Sequence, residues 1–178
     1  MEGLGVRVRQ LVEKLRQSHF LCKSSSLEKE RERLFIRNGS VLLEEMITSC
    51  KDKCRCNPIR NFSANEVLEA TNHFESYFHD SLCYKWYNGT LDDRPVLVKK
   101  YECDFEDREY RDIAIITQMS CHKNVLKLLG CCLELSCPVL VYEYAHHGPL
   151  DSVGIIGFGS QGLSLSWKIR LKVAKSNC

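Results

Sequence analysis

Three glycines in the stretch IIGFGSQGL, Gly157, Gly159 and Gly162, stand at the G-x-G-x-x-G spacing that can bring backbone N–H groups against phosphates. A dinucleotide site of that kind needs a further strand to complete a βαβ unit. Only the basic helical run WKIRLKVAKSNC follows, so the dinucleotide reading fails. The tightest thiol cluster is Cys50, Cys54 and Cys56 in CKDKCRC, three ligands without the second C-x-x-C that a zinc site would offer, and no metal is expected there. Nothing near His122, His146 and His147 pairs a nucleophile with a base, and they read as surface or structural histidines.

The chain of 178 residues, 44% hydrophobic, can bury one domain core with an appended helical segment. Its 25 basic and 23 acidic residues are interspersed, so nucleic acid is not an expected partner. No apolar run reaches the length of a membrane span and the N-terminus lacks the apolar core of a secretory signal, so the expectation is a cytoplasmic chain without direct membrane insertion. The 11 cysteines include the adjacent pair Cys131-Cys132 inside an apolar run. They read as reduced, buried thiols.

The elements that must position any site follow from periodicity. Residues 1–26 carry a short helical pattern ending in the Ser-rich CKSSS, read as a flexible joint. Residues 27–73 form a helical extension: LEKERERLFIRNG is one helix stopped at Asn38-Gly39, and SVLLEEMITSC a second. At NFSANEVLEATNHF, Ser63 and Glu66 form a capping box with Phe62 and Val67 in the staple positions, so a helix begins there. Residues 74–150 then read as strands with one helix between them: CYKWY and VLVKKY, punctuated at Asn88-Gly89 and Asp93-Arg94-Pro95, the helical DFEDREYRDIAIITQM, and the strands VLKLLGCCLEL and PVLVYEYA. Residues 151–178 are a Gly/Ser-rich connection and a last basic helix. The fold class expected is α+β, with about five antiparallel strands and one long helix.

Strand order names no family, but the words along it do. NFSANEVLEATNHF, YNGTL, VLVKK, HKNVLKLLGCCLE, PVLVYEY and LSWKIRL resemble, in order and spacing, the corresponding words of plant receptor-like kinases. The chain thus resembles the N-terminal lobe of a protein kinase. RERLFIRNGSVLLEEMI followed by NPIRNFSANEVLEATNHF is similar to the opening of the ZRK group, a wall-associated-kinase-like cytoplasmic group made up largely of pseudokinases.

What the resemblance implies can be placed residue by residue. VLVK matches V-A-I-K, so Lys99 takes the position of the lysine that holds the ATP phosphates, and RDIAIITQ places Asp112 at the helix acid that orients it. Asp is one methylene shorter than Glu. The expectation is a solvated helix residue, with Lys99 an ordinary edge-strand lysine or loosely paired. The hairpin glycines fall on His79, Ser81 and Tyr84, and a tyrosine ring at the third would intrude where phosphates lie. Glu143 and Tyr144 occupy the hinge-like positions, and GFGSQG becomes a flexible linker beyond the hinge. H-R-D and D-F-G do not occur in the sequence, so no kinase activity and weak or absent ATP binding are expected, with no cofactor. By the same resemblance, the expected role is a truncated pseudokinase adaptor or decoy in plant innate immunity. It would join a coiled-coil NLR immune receptor to receptor-like cytoplasmic kinases, with any plasma-membrane location supplied by those partners. A remnant without function and a weak ATP-binding switch through Lys99 are the alternatives.

Overall fold

A computed structural model describes residues 3–49, 59–102, 108–119, 122–150, 155–157 and 162–176, with side chains at 25–48, 59–102, 109–119, 122–150, 155–157 and 162–175. The CKDKCRC cluster lies outside them. Among the described residues no three His, Cys, Asp or Glu side chains gather as a metal site, and no helix is long and apolar enough to cross a membrane.

The lobe is built on a six-stranded sheet of β1 (Arg60–Asn61), β2 (Tyr77–Asp80), β3 (Tyr84–Leu91), β4 (Arg94–Tyr101), β5 (Leu128–Cys132) and β6 (Val139–Glu143), in the order β1-β5-β6-β4-β3-β2. The five strands β2 to β6 are antiparallel as expected. The sixth, β1, adds a parallel pairing of Arg60 with Gly130 and of Asn61 with Cys131. Among the described residues four helices accompany it: α1 (Gly3–Ser49), α2 (Ala64–Ala70), α3 (Arg108–Met119) and α4 (Trp167–Ser176).

Alternation along the two central strands divides the core. Val96, Val98, Val139 and Val141 face Phe62, Ala64 and Val67 at the start of α2, whereas Leu97, Tyr101, Leu140 and Tyr142 face Tyr110 and Ile113 of α3 and Leu42 of α1. With both faces covered, β4 and β6 become nearly continuous apolar runs, which is why VLV and PVLV read as strands without a polar side. Lys99 shares the face of Leu97 and Tyr101, and so points toward α3.

Local signals decide several boundaries. Ser63 caps α2, its hydroxyl accepting from the Glu66 N–H while the Glu66 carboxylate accepts from the Ser63 N–H at 2.8 Å. The Ser63 backbone N–H, then its hydroxyl, hold the Glu66 carboxyl below its ordinary range. The stabilisation is therefore present above the ordinary glutamate pKa and lost as pH falls through the depressed one. Ser63→Ala should cost about 1 kcal/mol in urea unfolding at neutral pH. Glu66→Gln should flatten that part of the acid limb of the stability profile.

Four expectations are corrected. The Ser-rich joint and the stop at Asn38-Gly39 do not interrupt α1, which runs unbroken for 47 residues. Serine costs a helix only a few tenths of a kcal/mol, roughly, and Asn38 spends its amide on other elements, so neither ends the helix. Asn88-Gly89 is no turn: both residues lie within β3, paired with Leu97 and Val96. The reversal falls at Asp92 and Asp93, both at positive φ (49° and 58°), the two-residue hairpin geometry whose twist suits the flanking strands. Finally, Cys131 and Cys132 are free thiols but Cys137 is disulfide-bonded, against the expectation of wholly reduced thiols. Pairing depends on which Cα atoms the fold brings within bridging distance, which sequence spacing does not reveal.

Burial pushes the Cys131 thiol up to about 12 and the Cys132 thiol to about 11. Half-buried Cys83 should therefore be alkylated at pH 8 well before either of them, a sequence readable by mass spectrometry of quenched time points.

Candidate functional site

The side chains that share the α3-facing surface of β3 and β4 enclose Lys99. Lys99 sits on β4, an interior strand and not an edge, directly across from Trp86 on one side and Leu140 on the other. Its side chain is 10% exposed, and Nζ lies 4.3 Å from the Tyr84 ring centre, 4.5 Å from that of Tyr101 and 5.9 Å from that of Trp86. Three aromatic faces thus stabilise one ammonium by cation–π attraction.

The expected looseness of the acid position is also corrected. Asp112 on α3 brings Oδ2 within 3.0 Å of Lys99 Nζ, closing the ion pair although aspartate is the shorter acid. The Tyr101 hydroxyl donates to the same oxygen. Burial first, and then that hydrogen bond, raise the Tyr101 phenol far above its ordinary range, so it is a donor at neutral pH. The acid of the pair is about two-fifths exposed at its side chain while the base is nearly enclosed.

Below the pair, the Trp86 ring packs 5.2 Å from that of Tyr142, a buried residue whose phenol burial also pushes up. Next to Trp86 a cavity of about 280 Å³ is lined by Phe78, His79 and Leu97 from the sheet and by Ala145, Pro149 and Leu150 from the segment after β6. Of the hairpin positions, His79 borders that cavity and Tyr84 covers Lys99. The Ser81 N–H closes the turn by donating to the Tyr84 carbonyl at 3.0 Å.

The hinge-like pair lies apart from this cleft. Glu143 is exposed, its N–H donating to the Lys127 carbonyl at 3.0 Å and its carboxylate accepting from the Lys127 N–H at 2.9 Å. The Tyr144 ring stands 5.3 Å from His146. Neither residue lines the cavity, and Ala145 takes that place. Beyond it, the expected linker contains a small antiparallel pair, β7 (Ile155–Ile156) with β8 (Leu163–Ser164). Gly148, at φ 73°, passes so close to Gly157 that a Cβ would lie 2.6 Å from its carbonyl carbon, so this glycine contact serves chain packing.

Trp86 and Tyr101 complete the enclosure of Lys99 and are not singled out by sequence reasoning. The register supplies them, because Lys99 faces Trp86 and Tyr101 faces Tyr84 only once β3 and β4 are aligned. Asn38 is the other omission, a buried amide whose sequence context, Asn-Gly, reads as a helix stop.

A lysine on a central strand, paired with an acid on the helix inserted between the third and fourth antiparallel strands and beneath a hairpin, is a kinase arrangement. The sequence pattern of protein tyrosine and serine/threonine kinases matches residues 82–173. The chain belongs to that family. Among curated relatives, the non-functional pseudokinase ZED1 of Arabidopsis thaliana is 46% identical over 157 residues, covering 85% of this chain and 45% of that one. The non-functional pseudokinase ZRK2 of the same plant is 38% identical over 184 residues, covering 94% of this chain and 50% of its own. The serine/threonine-protein kinase ZRK7, also from Arabidopsis, is 51% identical over 124 residues, covering 67% and 45%. This kinase-family chain therefore has ZRK-group relatives named both as pseudokinases and as kinases, and it spans about half the length of each. The solved structure of the pseudokinase DRIK1 (drought responsive inactive kinase 1) superposes with a TM-score of 0.51 at 22% identity, covering 66% of this chain and 48% of that one, a likeness of fold.

Proposed function

We propose that this chain is a catalytically inactive kinase-like lobe that works by binding proteins, as an adaptor or decoy in plant innate immune signalling. In this reading it bridges a coiled-coil NLR receptor and receptor-like cytoplasmic kinases. The observation that carries the inactive part is the enclosure of Lys99 by Tyr84, Trp86 and Tyr101. A kinase lysine must reach the ATP phosphates, and here the rings of Tyr84, Trp86 and Tyr101 crowd its ammonium. Phosphoryl transfer relies on preorganised charge around the phosphates, so a cleft occupied by its own aromatic side chains has little to offer it.

The adaptor part is supported by a surface of α1. Ile36, Leu43 and Ile47 are 61%, 59% and 68% exposed and share one side of the helix, turned away from buried Asn38 and Leu42. An apolar stripe of this kind on an otherwise charged helix suits a protein partner.

Co-precipitation of the tagged chain from plant tissue, with mass spectrometry of what is retained and a full-length pseudokinase relative as positive control, tests the reading. An NLR receptor or a receptor-like cytoplasmic kinase is the expected catch. Ile36→Glu together with Leu43→Glu should abolish it with the lobe still folded. Recovery of chaperones alone, while the control captures its partners, would contradict it. A weak nucleotide switch through Lys99 is the second reading, favoured by the closed Lys99–Asp112 pair and the cavity beside Trp86. Stabilisation by Mg-ATP that disappears in Lys99→Ala would establish it.

A further inference from the structure

One buried side chain ties the longest helix to the cleft. Asn38 of α1 is 1% exposed, and its Nδ2 donates to the carbonyls of Leu133 and Leu135, both at 2.8 Å, in the connection from β5 to β6. Its Oδ1 accepts from the Tyr110 hydroxyl of α3 at 2.7 Å. Both amide hydrogens and the amide oxygen are thereby used on elements distant in sequence, which makes the contact specific in a way that apolar packing is not. One turn further along α1, Leu42 is buried in the same cluster as Tyr110 and Ile113. Tyr110 stands two positions before Asp112 on α3, so whatever fixes the first turn of that helix also fixes the carboxylate that meets Lys99.

We propose that α1 holds α3 at the position where Asp112 reaches Lys99, with Asn38 as the positioning residue. The ion pair is then set by a helix of the chain itself and needs no ligand in the cleft. In this arrangement the α1–α3 contact is a conformational device, coupling the state of α1 to the cleft 61 positions later in sequence, from Asn38 to Lys99. The inference stands independently of the adaptor reading, because it concerns contacts within the lobe.

The test uses the full chain and two variants. Tyr110→Phe removes the Tyr110–Asn38 hydrogen bond between α3 and α1 with almost no change of shape. Asn38→Ala removes all three bonds and strands the two carbonyls. Lys99 reactivity toward an amine-acylating reagent reports the ion pair, hydrogen exchange of α3 amides reports the helix, and Asp112→Asn gives the reactivity of an unpaired Lys99. Both variants are expected to raise Lys99 acylation toward the Asp112→Asn level and α3 exchange about tenfold, with β4 and β6 as protected as before. Should Asn38→Ala fail to fold, Tyr110→Phe alone decides. Wild-type acylation of Lys99 in Tyr110→Phe would overturn the proposal even if α3 exchanges faster, because α1 would then steady the helix without setting the pair.

Discussion

Asp112→Ala lowers the stability of the lobe by about 2 kcal/mol, read as an earlier urea midpoint with an unchanged slope. Two groups lose their partner at once: the Lys99 ammonium, enclosed to 10% exposure, and the Tyr101 hydroxyl, which donates to the same oxygen. Removing one member of a fully buried pair costs roughly 3–5 kcal/mol. The figure here is smaller because the Asp112 side chain is 41% exposed, so water screens the pair from that side, and the aromatic faces continue to stabilise the ammonium. Lys99→Met in the Asp112→Ala background should recover part of the loss, since an apolar side chain suits the space between Tyr84 and Tyr101 and no charge is left stranded. A midpoint unchanged in Asp112→Ala would mean that the pair contributes nothing and that the rings alone hold Lys99.

Gly130→Ala has a larger expected effect, about 3 kcal/mol or more. Gly130 pairs with Arg60 in the parallel contact between β1 and β5, and a Cβ there would overlap the Arg60 carbonyl oxygen and lie 2.6 Å from Cε2 of Phe62. Backbone cannot move aside as a flexible side chain can, so β1 must separate from the sheet or β5 must distort. Phe62 follows β1 directly and is buried against the Val96, Val98, Val139 and Val141 face. Loss of the β1 pairing therefore reaches the core beneath α2. Hydrogen exchange should show the Phe62 N–H, which donates to the Cys131 carbonyl at 2.8 Å, losing protection in the variant. An Ala variant as stable as the parent would show that β1 can leave without cost.

The sequence makes legible what neighbours in the chain decide. Ser63 and Glu66 cap α2 through contacts three residues apart, so the start of that helix can be read directly. VLVK and VLVYE declare strands because both of their faces are apolar, whereas the interior place of β4, which takes Lys99 off the edge expected for it, shows only in the sheet order. The words of the kinase lobe locate Lys99 and Asp112, and the structure brings those two together. What fails to show are consequences of contacts between distant segments. Asn38-Gly39 resembles a helix stop, yet the Asn38 amide is consumed by Leu133, Leu135 and Tyr110, 72 to 97 positions away, and α1 continues. Asn88-Gly89 resembles a hairpin turn, yet alignment with Leu97 and Val96 keeps both in the strand, and Asp92-Asp93 makes the reversal. The aromatic enclosure is half legible: Tyr84 is flagged as a ring where a glycine belongs, whereas Trp86 and Tyr101 join it only through the register of β3 against β4.

That enclosure is the basis for treating the lobe as a binding module without nucleotide chemistry. Titration of the full chain with Mg-ATP, followed by its melting temperature, tests this most directly, because a ligand that binds only the folded form must raise the melting point. With Lys99 held by Asp112, Tyr84, Trp86 and Tyr101, the melting temperature should stay constant up to millimolar nucleotide. A rise of several degrees that vanishes in Lys99→Ala would contradict the account, since the lysine would then leave its aromatic enclosure to hold phosphate.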